Sequence, residues 1–238
     1  MSQTIGILGG MGPEATVHLF NIIVKFTKAD SDQDHIPIIV YNNPKIPDRT
    51  AAILHGRPSP LPALIEGAKR LEKAGADLII MACHTAHYFY NEICSQINIP
   101  FLHLQRETLH HIEQKQKNIK RFGLIATTAT IKMGLFQSIF NESKNGLEIV
   151  VPGAADQEMM MTAMYGEKGI KLGFKKEPRE LLLKVIAHLK EKNAEAIIAG
   201  CSETSIVLKE NEFRLPVFDP LIITAKAAIL KAGYNIKE

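Results

Sequence analysis

The sequence predicts an α/β protein made of two pseudo-symmetric lobes, each a parallel sheet with flanking helices. Short, nearly continuous Ile, Leu and Val runs alternate with longer segments whose apolar residues recur every three or four positions. Strands buried on both faces of a parallel sheet have this continuous apolar character. In addition, DLIIMACHTAH at 77–87 is nearly repeated 118 residues later as EAIIAGCSETS at 195–205. A repeat over so long a distance indicates two similar structural halves.

Eight short apolar runs are predicted to be strands, in two series of four. They are TIGILGG (4–10), IPIIVYN (36–42), DLIIMAC (77–83) and PFLHL (100–104), followed by RFGLIAT (121–127), LEIVVP (147–152), EAIIAGC (195–201) and PVFDP (216–220). Four long segments have the helical period. They are EATVHLFNIIVKFTKA (14–29), PALIEGAKRLEKAG (62–75), PRELLLKVIAHLKEKN (178–193) and LIITAKAAILKAGY (221–234). We expect the last helix to pack back on the first lobe.

The repeat also fixes equivalent positions in the two halves. In each half a glycine precedes a cysteine by 77 or 78 positions, and an alanine precedes the same cysteine by seven. These residues are Gly6, Ala76 and Cys83 in the first half and Gly123, Ala194 and Cys201 in the second. We therefore predict a first lobe of residues 1–105 plus 221–238 and a second lobe of residues 106–220.

Composition and charge exclude several classes of protein. The 28 basic and 25 acidic residues leave a net charge of +3 that is scattered along the chain, so we expect no nucleic-acid partner. No apolar run approaches the roughly 18 residues that span a membrane, and MSQTIGILGG lacks the features of a signal peptide. Three cysteines make no disulfide framework, and the histidines lack metal-site spacing. We expect a cytoplasmic protein with free thiols and no metal site; that it needs no other cofactor is what the family resemblance described below implies.

The two repeated cysteines suggest the chemistry. In parallel sheets ligands bind beyond the carboxyl ends of the strands, which is where Cys83 and Cys201 are predicted to lie. If the lobes are pseudo-symmetric, the two thiols face each other across an inter-lobe cleft. This arrangement suits racemisation, in which one group removes the α-proton and another returns a proton on the opposite face. Cys94 has no counterpart in the repeat, and we predict that it packs in the core.

Polar residues follow both cysteines directly and are placed to orient and bind a ligand. They are His84 and Thr85 after the first cysteine, and Ser202 and Glu203 after the second. Glu203 or His87 could relay protons to the thiols. A thiolate must form at one cysteine while the other stays protonated, so the pair should titrate as a coupled unit.

Four motifs, in order, resemble those of the aspartate/glutamate racemase family, whose members work without pyridoxal phosphate. The motifs are IGILGGMGPEAT, NNPKIPDRT, ACHTAH and GCSET. The resemblance covers essentially the whole chain. It implies a two-lobed α/β fold, a two-base mechanism with Cys83 and Cys201 as acid and base, an amino acid substrate and a homodimer.

The resemblance also implies a set of substrate contacts. Arg49 of PDRT and Lys171 of GIKLG correspond to the residues that hold the substrate's carboxylates in aspartate-type members, with Lys168 as the second choice for the lysine. Met11 would line the site, with neighbouring glycines letting backbone N–H groups approach the substrate. Thr127, in a segment that resembles ATxGT, is a further expected contact.

Three departures from the family pattern bear on the substrate. His84 stands where most aspartate-type relatives have Asn, and an imidazole is bulkier and can titrate. Ser202 replaces the usual Thr and keeps the hydroxyl, while Ala129 replaces a Gly. Aspartate is the expected substrate, with glutamate or another acidic amino acid left open.

The sequence is compatible with three other interpretations. GMGPEA fits G-x-G-x-x-A after a predicted strand, as in dinucleotide-binding proteins, but the second strand has no acid at its end for a ribose. A catalytically silent ligand-binding relative is a second alternative, although both cysteines are present. A related cysteine-dependent isomerase or decarboxylase of the same fold is the third, and the arginine and lysine favour the racemase over it.

Overall fold

The computed structural model describes residues 3–116, 118–208 and 215–237, which contain strands, α-helices and three 3-10 turns. The strands are β1 (Ile5–Gly9), β2 (Ile38–Asn42), β3 (Leu78–Met81), β4 (Arg121–Ile125), β5 (Glu148–Val150), β6 (Ala196–Ala199) and β7 (Val217–Phe218). The helices are α1 (Pro13–Phe26), α2 (Arg49–His55), α3 (Leu61–Lys73), α4 (Tyr90–Cys94), α5 (Leu104–Lys115), α6 (Thr128–Lys132), α7 (Gln137–Phe140), α8 (Ala154–Tyr165), α9 (Lys176–Glu191), α10 (Thr204–Val207) and α11 (Pro220–Lys231). The 3-10 turns are Asp32–Asp34, Thr85–Phe89 and Ile170–Leu172.

The chain forms two compact units. Unit 1 comprises Met1–Glu107 with Leu221–Glu238, and unit 2 comprises Thr108–Pro220. Each unit has its own parallel sheet, with strand order β2-β1-β3 in unit 1 and β5-β4-β6-β7 in unit 2. The predicted α/β fold with two parallel sheets is thus confirmed, and β1, β2 and β3 correspond to β4, β5 and β6 in order and direction.

One of the eight predicted strands is wrong. Residues 100–104 make only an isolated parallel bridge between Ile79 and Phe101, and α5 already begins at Leu104. The segment nevertheless runs beside β3, because the Ile79 amide donates to the carbonyl of Pro100 over 2.8 Å. The same contact, Ile197 to Pro216, occurs where β7 pairs with β6. Residues 100–104 therefore lie beside β3 as β7 lies beside β6, but the pairing in unit 1 is too short to make a strand.

The glycine and alanine of the repeat pack against each other inside each unit. A Cβ added to Gly6 would lie 2.9 Å from the Cβ of Ala76, and one added to Gly123 would lie 3.1 Å from the Cβ of Ala194. Both distances are shorter than ordinary contacts, so the first strand of each unit needs a glycine here. The spacing noticed in the sequence is thus a packing constraint that occurs twice.

Both faces of the unit 1 sheet are covered. On one face Ile5 and Ile7 of β1 pack with α1 and with α11, whose buried residues include Ala225 and Ile229. On the other face a second apolar cluster joins β3 to α3 and contains Cys83. In unit 2 a cluster built around β6, α8 and α9 contains Cys201. No helix in the described ranges is both long and apolar enough to cross a membrane.

Candidate active site

The loop after β1 is held tightly against the end of β2. Gly10 has φ +100°, and a Cβ there would lie 2.3 Å from backbone atoms of Asn43. Its amide donates to Thr16 Oγ1 over 2.8 Å, and that hydroxyl donates to the carbonyl of Gly12 over 3.0 Å. The Gly10 amide is therefore used inside the protein and is not presented to a ligand, and the glycine is required by the close approach of two loops.

Arg49 is buried at the start of α2, a helix capped by the side chain of Asp48. Its guanidinium donates to three carbonyl oxygens: Pro47 at 2.9 Å, Ile46 at 3.3 Å and Met11 at 3.2 Å. These carbonyl dipoles hold the planar guanidinium in a fixed orientation. The structure therefore brings Arg49 and Met11 together at the carboxyl end of the unit 1 sheet, with the positive charge held in a fixed orientation.

Cys83 lies two residues beyond β3 and is 6% exposed. It belongs to the same apolar cluster as Met11 and Ile46, so the predicted thiol, Met11 and Arg49 share one end of the sheet in unit 1. Thr85 is also buried there, in the first position of the 3-10 turn. Parallel strands account for this grouping, because their carboxyl ends share one edge.

His84, whose imidazole is of a kind that can titrate, is buried beside Cys83. Burial, with a smaller contribution from the nearby His87, lowers the pKa of His84 to about 3. The imidazole is therefore neutral at physiological pH, like the amide found in relatives. The side chain of Gln105, fully buried in α5, donates to the His84 carbonyl over 3.3 Å. Gln105 could not be found from the sequence, because a glutamine near the start of a helix carries no signal of its own.

His87 was one of two expected proton relays, but its ring is engaged by the backbone. Nδ1 lies 2.8 Å from the Cys83 carbonyl oxygen, and the Leu104 amide donates to Nε2 over 3.3 Å. The Nδ1–H tautomer satisfies both contacts. Burial lowers the pKa of His87 to about 4, so the ring remains neutral and ties the 3-10 turn after Cys83 to α5. It is a structural residue.

In unit 2, Cys201, Glu203 and Lys171 form a linked group. Cys201 is 5% exposed and lies two residues beyond β6. Its Sγ donates to Glu203 Oε2 over 3.2 Å, while Glu203 Oε1 pairs with Lys171 Nζ. Burial and then the Glu203 carboxylate raise the pKa of the Cys201 thiol well above its ordinary value, and Lys171 opposes them.

The two candidate lysines have different surroundings. Lys171 lies in the 3-10 turn Ile170–Leu172, with its ammonium 5.4 Å from the ring centre of Tyr165. Burial acts to lower the pKa of Lys171, but Glu203, Tyr165 and Cys201 outweigh burial and the net shift is upward. Lys168 is exposed and pairs with Glu177 over 3.3 Å. The lysine that the structure brings to Cys201 is thus Lys171.

The remaining predicted contacts are also buried at the carboxyl end of the unit 2 sheet. Thr127 caps α6, where its Oγ1 accepts from the Thr130 amide over 3.4 Å and lies 3.1 Å from the Thr130 hydroxyl. Ser202 is 2% exposed, next to Cys201. Met164 of α8 was not predicted, although its sulfur lies 3.7 Å from that of Cys201. Each unit therefore has a buried thiol and a cation at the same end of its sheet.

Known amino-acid racemases are similar to this protein over nearly the whole chain. The sequence model of the Asp/Glu/hydantoin racemase family matches residues 8–228. The broad-specificity amino-acid racemase RacX of Bacillus subtilis (strain 168) is 27% identical over 229 residues, which are 94% of this chain and 96% of that protein. The aspartate racemase of Picrophilus torridus has a TM-score of 0.88 at 32% identity, covering 99% of this chain and 96% of that one. An aspartate racemase homologue from Pyrococcus horikoshii OT3, at 24% identity, has the same fold with a TM-score of 0.74 over 97% of this chain and 99% of that one.

Proposed function

This chain belongs to the Asp/Glu/hydantoin racemase family, and on that premise we propose that it racemises an acidic amino acid, aspartate before others, without a cofactor. It is an enzyme of the amino-acid racemase type, as are the relatives from Bacillus subtilis and Picrophilus torridus. In this proposal Cys83 and Cys201 are the acid and the base. The observation that carries it is the buried cysteine found two residues beyond β3 and again two residues beyond the corresponding strand β6.

The proposed reaction is a proton exchange at the α-carbon. The thiolate of one cysteine takes the α-proton, and the electron pair left on carbon is delocalised into the α-carboxylate. The thiol of the other cysteine then gives its proton to the opposite face of the carbon. Overall, one S–H bond forms and one breaks, and nothing is oxidised or reduced. The enzyme is left with the protonation of the two sulfurs exchanged.

The charges near the two thiols support a dicarboxylic substrate. A buried guanidinium in unit 1 and a half-buried ammonium in unit 2 are the cations that two carboxylates require, and charge-assisted hydrogen bonds are the strong ones. We propose that Arg49 and Lys171 bind them, one each. Negative charge that develops on the α-carboxylate during proton removal would be stabilised by the cation already in place. Met11, Thr85, Thr127 and Ser202 are proposed to complete the substrate contacts.

A broader specificity is the second candidate. It is favoured by the likeness to the broad-specificity racemase of Bacillus subtilis. His84 could shift the preference, because it is buried next to Cys83 and is larger than the asparagine of aspartate-type relatives. The two candidates differ in whether amino acids without a side-chain carboxylate react.

The test is solvent isotope exchange in D2O with the reduced protein and no added cofactor. L-Aspartate, L-glutamate and L-alanine are incubated in parallel, with the α-proton followed by NMR and the enantiomers separated by chiral chromatography. We expect exchange and D-aspartate formation, with alanine much slower. Cys83→Ser and Cys201→Ser should each lower the racemisation rate by a factor of about 100 or more, and Cys94→Ser, in the third cysteine, is the matched control. Racemisation that survives in either active-site variant contradicts the two-base mechanism, and alanine reacting as fast as aspartate supports the broader specificity.

The remaining proposals concern the setting of the enzyme. We propose a homodimer, by analogy with the family, that acts on a small amino acid and binds neither nucleic acid nor membrane. We also propose a cytoplasmic location, because the mechanism needs two reduced thiols and the cytoplasm keeps thiols reduced. Sedimentation at several protein concentrations tests the dimer.

A further inference from the structure

Glu203 contacts both functional groups of unit 2 at once. One carboxylate oxygen accepts the hydrogen bond from the Cys201 thiol over 3.2 Å, and the other pairs with the ammonium of Lys171. The carboxylate is 5% exposed, so water screens these contacts little. The group lies on three elements of unit 2: the loop after β6, the start of α10 and the 3-10 turn that carries Lys171.

An ionised carboxylate in this position favours one protonation state of the thiol. A carboxylate can only accept hydrogen bonds, so it is satisfied by S–H and repelled by a thiolate. Lys171 has the opposite effect on the sulfur, but much of its charge is compensated by Glu203 itself. Within residues 3–116, 118–208 and 215–237, the charged groups that act on Cys201 are Glu203 and Lys171. Tyr165 of α8 faces Lys171, and the uncharged Met164 of the same helix covers the sulfur.

We infer that Glu203 is a positioning residue that holds Cys201 as the protonated thiol when no substrate is bound, rather than a residue that binds substrate. The corresponding position in the first half is Thr85, a neutral hydroxyl 118 residues earlier. The two repeated cysteines are therefore not equivalent. The inference rests on the proposed function in one respect: if both cysteines act, Cys201 is the one that begins as the acid.

The test measures the thiol directly and needs no substrate. The protein is alkylated with iodoacetamide over a range of pH, and the extent of modification at each cysteine is read by peptide mass spectrometry. Only the thiolate reacts, so the rate at Cys201 follows its ionisation, while the plateau at high pH reports its accessibility. In Glu203→Gln the anion is replaced by an amide of the same size. We expect the midpoint of the Cys201 profile, the pH at which alkylation reaches half its maximal rate, to move down by about one pH unit. Alkylation of Cys201 at a pH below the midpoint then becomes about tenfold faster.

Two further variants distinguish this role from a merely structural one. Lys171→Met removes the opposing cation and should move the Cys201 midpoint up, opposite in sign to Glu203→Gln. Glu203→Asp keeps the charge and should restore most of the wild-type profile. Glu177→Gln removes the acid of the exposed Lys168 pair and should leave Cys201 unchanged.

If alkylation is too slow to follow, the thiolate is titrated by its ultraviolet absorbance in Cys83→Ser/Cys94→Ser, which retains Cys201 alone. An unchanged or raised Cys201 midpoint in Glu203→Gln overturns the inference, as does a shift of the same sign in Lys171→Met. Because no amino acid is present, a protein that fails to racemise aspartate still gives a clear result here. The failure of the proposed function and the failure of this inference are thus separable.

Discussion

The neutral histidines beside Cys83 predict that the protein loses stability in mild acid. Burial lowers the pKa of His84 to about 3 and that of His87 to about 4, whereas both begin from 6.5 in an unperturbed chain. Above pH 6.5 both states hold the rings neutral, and the histidines contribute nothing to the pH dependence. Below pH 6.5 both histidines become protonated in the unfolded chain but stay neutral in the native state. Stability therefore falls as pH drops from about 6.5 toward the native pKa values.

The size of the loss at pH 5 depends little on how low the native pKa values are. At pH 5 a histidine with an unfolded pKa of 6.5 is almost fully protonated in the unfolded chain. If it stays neutral in the native state, this protonation favours unfolding by about 1.36 kcal/mol for each of the roughly 1.5 pH units below 6.5, which is about 2 kcal/mol. For His87, whose native pKa is about 4, the correction is under about 0.1 kcal/mol. The two rings together cost about 4 kcal/mol, a large part of the 5–15 kcal/mol that typically stabilises a domain.

The assay is urea unfolding at pH 7 and pH 5, followed by circular dichroism, in the wild type and in His84→Asn. We compare the difference between the two pH values in each protein, so that the packing cost of the substitution cancels. That difference should be about 2 kcal/mol smaller in His84→Asn than in the wild type. His55→Gln, at an exposed histidine in the last turn of α2, is the control and should show the wild-type difference between the two pH values. If His84→Asn and the wild type lose the same stability within about 0.5 kcal/mol, the reasoning is refuted.

Two further predictions concern a glycine and a lysine. Gly10→Ala should lower the free energy of unfolding by about 3 kcal/mol, since it combines a φ of +100° with a Cβ 2.3 Å from the Asn43 backbone. Gly75→Ala, at φ +96° with no neighbouring atom within 4 Å, should cost only about 1 kcal/mol, and equal losses in urea melts would contradict this account. Lys171→Met should raise the KM for aspartate about tenfold or more in initial-rate kinetics, because it removes the proposed partner of a substrate carboxylate. Lys168→Met, in the exposed pair with Glu177, is the control and should keep a KM near that of the wild type. If Lys168→Met raises the KM more than Lys171→Met does, Lys168 is the residue that binds the carboxylate.

Much of the fold could be predicted because strands covered on both faces have continuous apolar sequence. The segments that became β1, β3, β4 and β6 are of this kind, and each was found within a few residues of its observed bounds. The failure at residues 100–104 has a local cause. Proline has no N–H to donate, Phe101 alone makes a bridge, and α5 starts three residues later. Five residues followed directly by a helix are too few for their apolar pattern to distinguish a β-strand from an extended segment that makes a single bridge.

The site could be predicted only in part, because its contacts join residues far apart in sequence. The cysteines were visible through the repeat, and Arg49 and Lys171 through their motifs. No spacing rule shows that Lys171 pairs with Glu203, which lies 32 residues further on. Nor could the sequence show that His87 binds backbone groups on both sides of its ring, an arrangement that removes it from proton transfer. Tertiary packing determines both.

The packing of α11 in unit 1 has a consequence for how the protein is made. A ribosome delivers residues in order, and the apolar face formed by Ile5, Ile7 and α1 is completed by Ala225 and Ile229 of α11. All of unit 2 lies between these partners in the chain. Nascent unit 2 can therefore finish its core while unit 1 still exposes apolar side chains. We expect the N-terminal half to be the part that depends on chaperones during synthesis, even though it is the first to emerge.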